Sequence, residues 1–234
     1  MYLGSKARLV KHILPIMLEQ AKQQGCTTTW VEPFVGGGNV IQHVPESYIR
    51  IGIDVNPHTI AALVGIRDHI NEFPTEVSEE YYKELRNTPP DPITSWIRYQ
   101  CSFGSRFENG YARNARNRNY CMEGRANLHR QSKQLQDVIL LTGGYTICSH
   151  FTNAVIYCDP PYQQTTGYRT KDTLDHVAFW DWCRAMSKNN LVFISEYHAP
   201  EDFTCIWEGQ LNVSFSSQRT TATKATEKLF QYIR

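Results

Sequence analysis

Nothing in this 234-residue chain approaches the roughly 18 consecutive apolar residues that a membrane helix requires. Residues 1–24 are too basic and polar for a secretory leader. The seven cysteines (Cys26, Cys101, Cys121, Cys148, Cys158, Cys183 and Cys205) are odd in number, widely spaced, and include no C-x-x-C pair. That spacing argues against a disulfide framework and a zinc site, so a reduced, cytoplasmic protein without metal is expected. Internal repeats and low-complexity tracts are also missing. The glycine loop at Gly36-Gly37-Gly38 lacks the third glycine of a dinucleotide fingerprint, with Ile41 standing where it would fall, which disfavours a pyrophosphate cradle.

What is present describes a globular protein of one large domain, or of one domain with an insertion. Hydrophobic residues make up 41% and charged residues 20%. The net charge of +1 hides an asymmetry. Residues 98–133 hold eight Arg or Lys against Glu108 and Glu123, whereas the rest of the chain holds 16 against 21 acids. Five asparagines and Tyr99, Phe103, Phe107, Tyr111 and Tyr120 are interleaved with that basic block. Arg and Asn can grip base edges bidentately and aromatics can stack or wedge, so the block reads as a nucleic-acid surface; a solvated helical face is the plainer alternative.

Periodicity predicts a helix from Ser5 to about Gln24, kinked or split at Pro15 and stopped at Gly25. Strands follow at 29–34 and 48–53, with a helix start at Asn39–Val44 between them and a helix at 57–70. This succession is the first half of a doubly wound parallel sheet. Residues 74–133 show no clean strand and are expected to form a helical or irregular insertion, which leaves 1–73 and 134–234 as the main domain. Beyond it, helices are expected at 132–141 and 174–186, and strands at 145–148, 154–158 and 191–195. A mobile loop is expected at 163–173, and an antiparallel edge pair from 211–215 and 229–233.

The chemistry concentrates at Asp159-Pro160-Pro161-Tyr162, after the apolar run Ala154–Cys158. The prolines stiffen the backbone and offer carbonyls without N–H groups, so acceptors are in surplus. Acceptors suit an exocyclic amino group, and the Tyr162 ring offers a flat face for a base. An ordinary strand-ending turn is the plainer reading. Asp54, ending the second strand, is placed to accept ribose hydroxyls or to cap the helix ahead of Pro57. A ribose-bearing cofactor without a pyrophosphate, facing an amino-binding cup, points to S-adenosyl-L-methionine.

Val31-Glu32-Pro33-Phe34-Val35-Gly36-Gly37-Gly38 followed by Asp159-Pro160-Pro161-Tyr162 resembles the Dam-like (D12 class, α group) adenine-N6 DNA methyltransferases. Tyr2-Leu3-Gly4-Ser5-Lys6 is similar to that family's N-terminal signature, with Ser5 for a glycine. Gly52-Ile53-Asp54-Val55-Asn56 is similar to its ribose-binding element, and residues 219–233 to its closing strands. The resemblance implies a Rossmann-like α/β methyltransferase sheet with an antiparallel edge hairpin and a helical DNA-recognition insertion. It implies a bacterial or phage enzyme acting on double-stranded DNA, as a monomer or a weak dimer. Asp159, Pro160 and Tyr162 would be catalytic. Tyr2, Lys6, Glu32, Pro33, Phe34, Gly36, Gly38, Asp54 and Asp159 would hold the cofactor, with Lys6 at its carboxylate and Phe34 against its adenine or in the core. Asn109-Gly110-Tyr111-Ala112-Arg113 resembles the family's recognition element, and Arg106, Asn109, Tyr111, Arg113, Arg116 and Arg118 would meet DNA. Adenine in RNA, a protein glutamine amide, a DNA-binding regulator and a nicotinamide dehydrogenase are the rival readings.

Overall fold

The computed structural model describes residues 6–105, 109–113, 119–162, 174–213 and 223–232. Seven strands form one sheet in the order β3-β2-β1-β4-β5-β7-β6. They are β1 (Thr29–Glu32), β2 (Ile49–Asp54), β3 (Ile139–Thr142), β4 (Val155–Cys158), β5 (Leu191–Glu196), β6 (Phe203–Val213) and β7 (Thr223–Tyr232). The first five run parallel, β7 pairs antiparallel with β5, and β6 closes that edge as its hairpin partner. The doubly wound sheet with an antiparallel edge pair is thus as expected.

Alternation along the strands explains why their sequences read as unbroken apolar runs. Trp30, Val155, Tyr157, Leu191 and Phe193 belong to one core, with α1 (Val10–Gln24), α2 (Pro57–Asp68), α4 (Pro92–Gln100) and α5 (Tyr120–Gln134). Val31, Ile156, Cys158, Val192 and Ile194 turn to the other face, against Phe179, Trp180, Cys183 and Met186 of α6 (His176–Met186). The short α3 (Glu79–Glu84) adds Tyr82 to the first core. Residues 74–133 therefore pack into the main core through Tyr82, Trp96, Ile97, Cys101, Cys121 and Leu128. Gly65 permits that docking, because a Cβ there would lie 2.5 Å from the Pro92 carbonyl oxygen.

Several expectations need correction. Residues 139–142 form edge strand β3, and the preceding helix spans Tyr120–Gln134 rather than 132–141. β3 reads as apolar as its neighbours although it is mostly exposed, and a short apolar run does not by itself separate strand from helix. Residues 145–150 form a 3-10 helix, not a strand, and Ile41–His43 makes a single 3-10 turn. Pro15 lies inside one helix that it does not divide. That helix begins at Val10 after a 3-10 turn at Lys6–Arg8. Gly25 stops it with φ +73°, as read from the sequence. Ser5, the loop at 163–173 and residues 214–215 and 233 lie outside the described residues. Among the described residues no helix is long and apolar enough to cross a membrane.

Candidate active site

In a parallel sheet the carboxyl ends of all strands share one edge, and a crevice opens there where the strand order reverses. Here that point lies between β1, which is followed by β2, and β4, which is followed by β5. Glu32, Asp54 and Asp159 end β1, end β2 and follow β4 at this edge. Because β7 runs antiparallel, its early residues reach the same edge: Lys228 pairs with Glu196, the last residue of β5. Glu227 is delivered in this way from 68 positions beyond Asp159 in the sequence.

Asp54 is held by two backbone donors. The Gly36 N–H reaches its Oδ2 at 3.1 Å and the Asn56 N–H its Oδ1 at 2.9 Å. Asn56, not Asp54, caps α2 by accepting from the His58 N–H at 3.0 Å. Burial nevertheless outweighs these donors and lifts the Asp54 carboxyl to about 6. Gly36 and Gly38 adopt φ +48° and +68°, so the loop curls in a conformation that L side chains resist. Glu32 is buried and accepts from the Trp30 indole N–H at 3.0 Å. Burial pushes its carboxyl up to about 8, against that donor, with Asp159 adding to the rise.

The other half of the site is an ion cluster. The Lys6 ammonium stands 3.2 Å from Asp159 Oδ1 and 3.0 Å from Glu227 Oε2, and also contacts the Tyr162 hydroxyl. That hydroxyl donates to Glu227 Oε2 at 2.8 Å. The Asp159 side chain keeps 22% exposure, so it is reachable while its charge is poorly solvated. Burial raises its carboxyl to about 6; Lys6 opposes the rise and Glu227 adds to it. Burial alone would disfavour the Lys6 ammonium, but Asp159 and Glu227 outweigh it and hold lysine above its ordinary value. The Tyr162 ring meets Tyr197 edge to face at 4.6 Å. Pro160 is buried, and Cys158 packs within the second core.

Phe34 lies in an aromatic group, stacked on Tyr145 at 5.9 Å and edge-on to Phe179 at 5.6 Å, while Pro33 is buried. Sequence reasoning missed Glu227, which strand pairing brings in, and Tyr197 and Tyr145, which ring packing places against Tyr162 and Phe34. It also missed Gln131 of α5, whose amide donates to the Gly37 carbonyl at 2.9 Å and ties α5 to the glycine loop.

The basic block is less uniform than its sequence suggests. Arg98 is buried, donating to the Arg86 and Thr88 carbonyls, and Arg125 donates to those of Phe73 and Asn71. Arg113 forks onto Glu79, with Nε 2.7 Å from Oε2, so acids do compensate part of the block. Across residues 74–133 ten basic side chains face seven acids. The Tyr111 hydroxyl donates to the Val77 carbonyl at 2.8 Å and its ring tilts against Tyr82. Asn109 is exposed beside Phe103, which is 65% exposed. Tyr2, Arg106, Arg116 and Arg118 lie outside the described residues.

A mostly parallel sheet with acids at the carboxyl ends of the strands about its switch point defines a doubly wound α/β protein of the ligand-binding class. A family model for D12 class N6 adenine-specific DNA methyltransferases matches residues 2–191, and the chain belongs to that family. It is accordingly an S-adenosyl-L-methionine-dependent methyltransferase. Comparison with curated proteins gives no match. Among solved structures, the yhhF protein of Escherichia coli, provisionally described as a methyltransferase, is 9% identical with a TM-score of 0.42. That alignment covers 96% of this chain and 85% of that one. A conserved hypothetical protein of Streptococcus pyogenes is 8% identical with a TM-score of 0.37, covering 88% and 86%. A provisionally described methyltransferase, SMU.472, complexed with SAH, is 17% identical with a TM-score of 0.29, covering 88% of this chain and 48% of that one.

Proposed function

We propose that the protein methylates the N6 amino group of an adenine flipped out of double-stranded DNA at a specific site. The observation that carries this reading is the placement of Asp54 and Asp159 on opposite sides of β1, at the carboxyl edge of one sheet. The residues present fit S-adenosyl-L-methionine: each Asp54 oxygen accepts one backbone N–H and keeps a lone pair for a ribose hydroxyl. Gly36 and Gly38 would let the loop approach that group closely, and Glu32, Pro33 and Phe34, at the end of β1, would lie beside it. When bound, that group supplies an electrophilic methyl on a sulfonium.

The chain's own residues do the rest. Ionised Asp159 accepts a hydrogen of the adenine amino group, the Pro160 carbonyl accepts the other, and Tyr162 stacks on the ring. These contacts localise the nitrogen lone pair, so catalysis is positioning and electrostatics without a covalent enzyme intermediate. Residues 74–133 serve as the recognition insertion, with Arg106, Asn109, Tyr111, Arg113, Arg116 and Arg118 as its DNA-contacting residues and Phe103 as an exposed aromatic beside Asn109. Transfer of labelled methyl from the donor to duplex DNA, followed by modified-base sequencing, tests the reading. N6-methyladenine at one sequence motif supports it; label in RNA or protein alone overturns it.

A further inference from the structure

The transfer just described gives Glu227 no part, although its side chain is only 11% exposed and it touches Lys6 and Tyr162. Its Oε2 accepts from both the Lys6 ammonium, at 3.0 Å, and the Tyr162 hydroxyl, at 2.8 Å. The same ammonium reaches Asp159 at 3.2 Å. One buried cation therefore stands between two carboxylates that repel each other. For folding alone this is a poor arrangement, since Lys6 could neutralise Asp159 without a second buried acid. Strained charge of this kind in a crevice is characteristic of functional sites.

We propose that Glu227 is a positioning residue of the methyl transfer, holding Lys6 and the Tyr162 hydroxyl as one hydrogen-bonded unit so that Asp159 stays open to the substrate amino group. The proposal rests on the adenine-N6 reading of the site. Without the Glu227 charge, the ammonium has Asp159 as its sole anionic partner among the contacts of this cluster and withdraws that carboxylate from the substrate. Tyr162 also loses an acceptor that fixes where its ring can lie. The groups facing Glu227 are Lys6 from the first turn, Tyr157 of β4, Asp159 and Tyr162 beyond it, and Tyr197 after β5.

Glu227→Gln keeps the shape and removes the charge. Its kcat should fall about 10²-fold, with the KM for DNA nearly unchanged, as expected for misplacement of reacting groups. Removing an anion that raises the Asp159 carboxyl moves the acid limb of the kcat profile to lower pH. Glu227→Asp, which retains the charge, should return that limb toward wild type. The Lys6 ammonium, followed by carbon-13 NMR of its ε-carbon, should titrate lower in Glu227→Gln than in wild type. Wild-type kcat in Glu227→Gln overturns the proposal. So does a loss of kcat that follows a fall in melting temperature while the acid limb and the Lys6 titration stay in place. A wild-type protein that methylates no adenine, yet shows the Lys6 shift, refutes the reading of the reaction rather than the tether.

Discussion

In the crevice, Lys6 faces Asp159 at 3.2 Å with side-chain exposures of 8% and 22%; in residues 74–133, Arg113 faces Glu79 across 2.7 Å with Arg113 76% exposed. The shorter contact is the weaker constraint. Solvent screens an exposed pair and both side chains give up freedom to hold it, so such a pair can be exchanged for a phosphate or a base. The Lys6 cluster cannot be dissolved that way, because each buried charge depends on the others. In the crevice, burial displaces the carboxyls of Asp159 and, beside the glycine loop, Asp54 upward to about 6, whereas Arg113 and Lys83 hold Glu79 down at about 2. A crevice that stores electrostatic cost suits chemistry; residues 74–133, with exchangeable ion pairs, suit the binding role proposed for them.

The sharpest way to break this comparison is Asp159→Ala. Methyl transfer should drop at least about 10²-fold while duplex affinity stays nearly intact, since in the proposed reaction the carboxylate acts on the base and not on phosphates. Substantial turnover in that variant would remove the cup from the mechanism. In the wild-type enzyme, the kcat profile should rise with pH through about 6, because Asp159 must be ionised to accept the amino hydrogen.

Asp54→Ala should come next in size, weakening S-adenosyl-L-methionine binding by about 1.5–3 kcal/mol through loss of a charged acceptor. Calorimetry on the DNA-free protein measures it, and unchanged affinity would reject the ribose assignment.

Glu32 tests the crevice through stability. Its folded carboxyl stands near 8 against an ordinary 4.5, so the folded state holds a proton that the unfolded chain releases. The stability this contributes is complete below about 4.5 and is lost as pH rises toward 8. Asp54 and Asp159 act in the same direction but stop near 6, which leaves Glu32 to dominate among the three above that. Glu32→Gln should therefore flatten the decline of melting temperature between pH 6 and 8. An identical slope in the variant would mean that Glu32 is ionised in the folded protein.

The smallest effects are expected in the insertion. Glu79→Gln should leave the fold intact and strengthen binding to all duplexes alike, by freeing Arg113 from its partner. If Arg113 reads a base, Arg113→Ala relaxes preference at one position of the site; if it meets only phosphate, the salt slope falls by about one unit and the motif is unchanged. Methylation profiling across a site library separates the two.

Legibility followed periodicity. Strands buried on both faces, such as Val155–Cys158 and Leu191–Glu196, announced themselves as apolar runs, and Asp54 and Asp159 were visible because each ends such a run. Edge strand β3 was read as helix because the short apolar run Val138-Ile139-Leu140-Leu141 fits either element by periodicity alone. The basic block was overread for a related reason. Counting charges along residues 98–133 cannot see Glu79, or the backbone carbonyls that take up Arg98 and Arg125.

Local chemistry in the sequence determined the doubly wound sheet, the stiff Asp159–Tyr162 cup and the acid at Asp54, since each depends on neighbours a few residues away. Only the tertiary structure decided that Lys6, Asp159, Tyr162 and Glu227 share one cluster, and that Arg113 is paired. These contacts join residues 65 to 221 positions apart, or cross 34 positions within residues 74–133. Strand order and direction set them: an antiparallel β7 beside β5 is what carries Glu227 to the carboxyl edge, and no spacing along the chain encodes that turn.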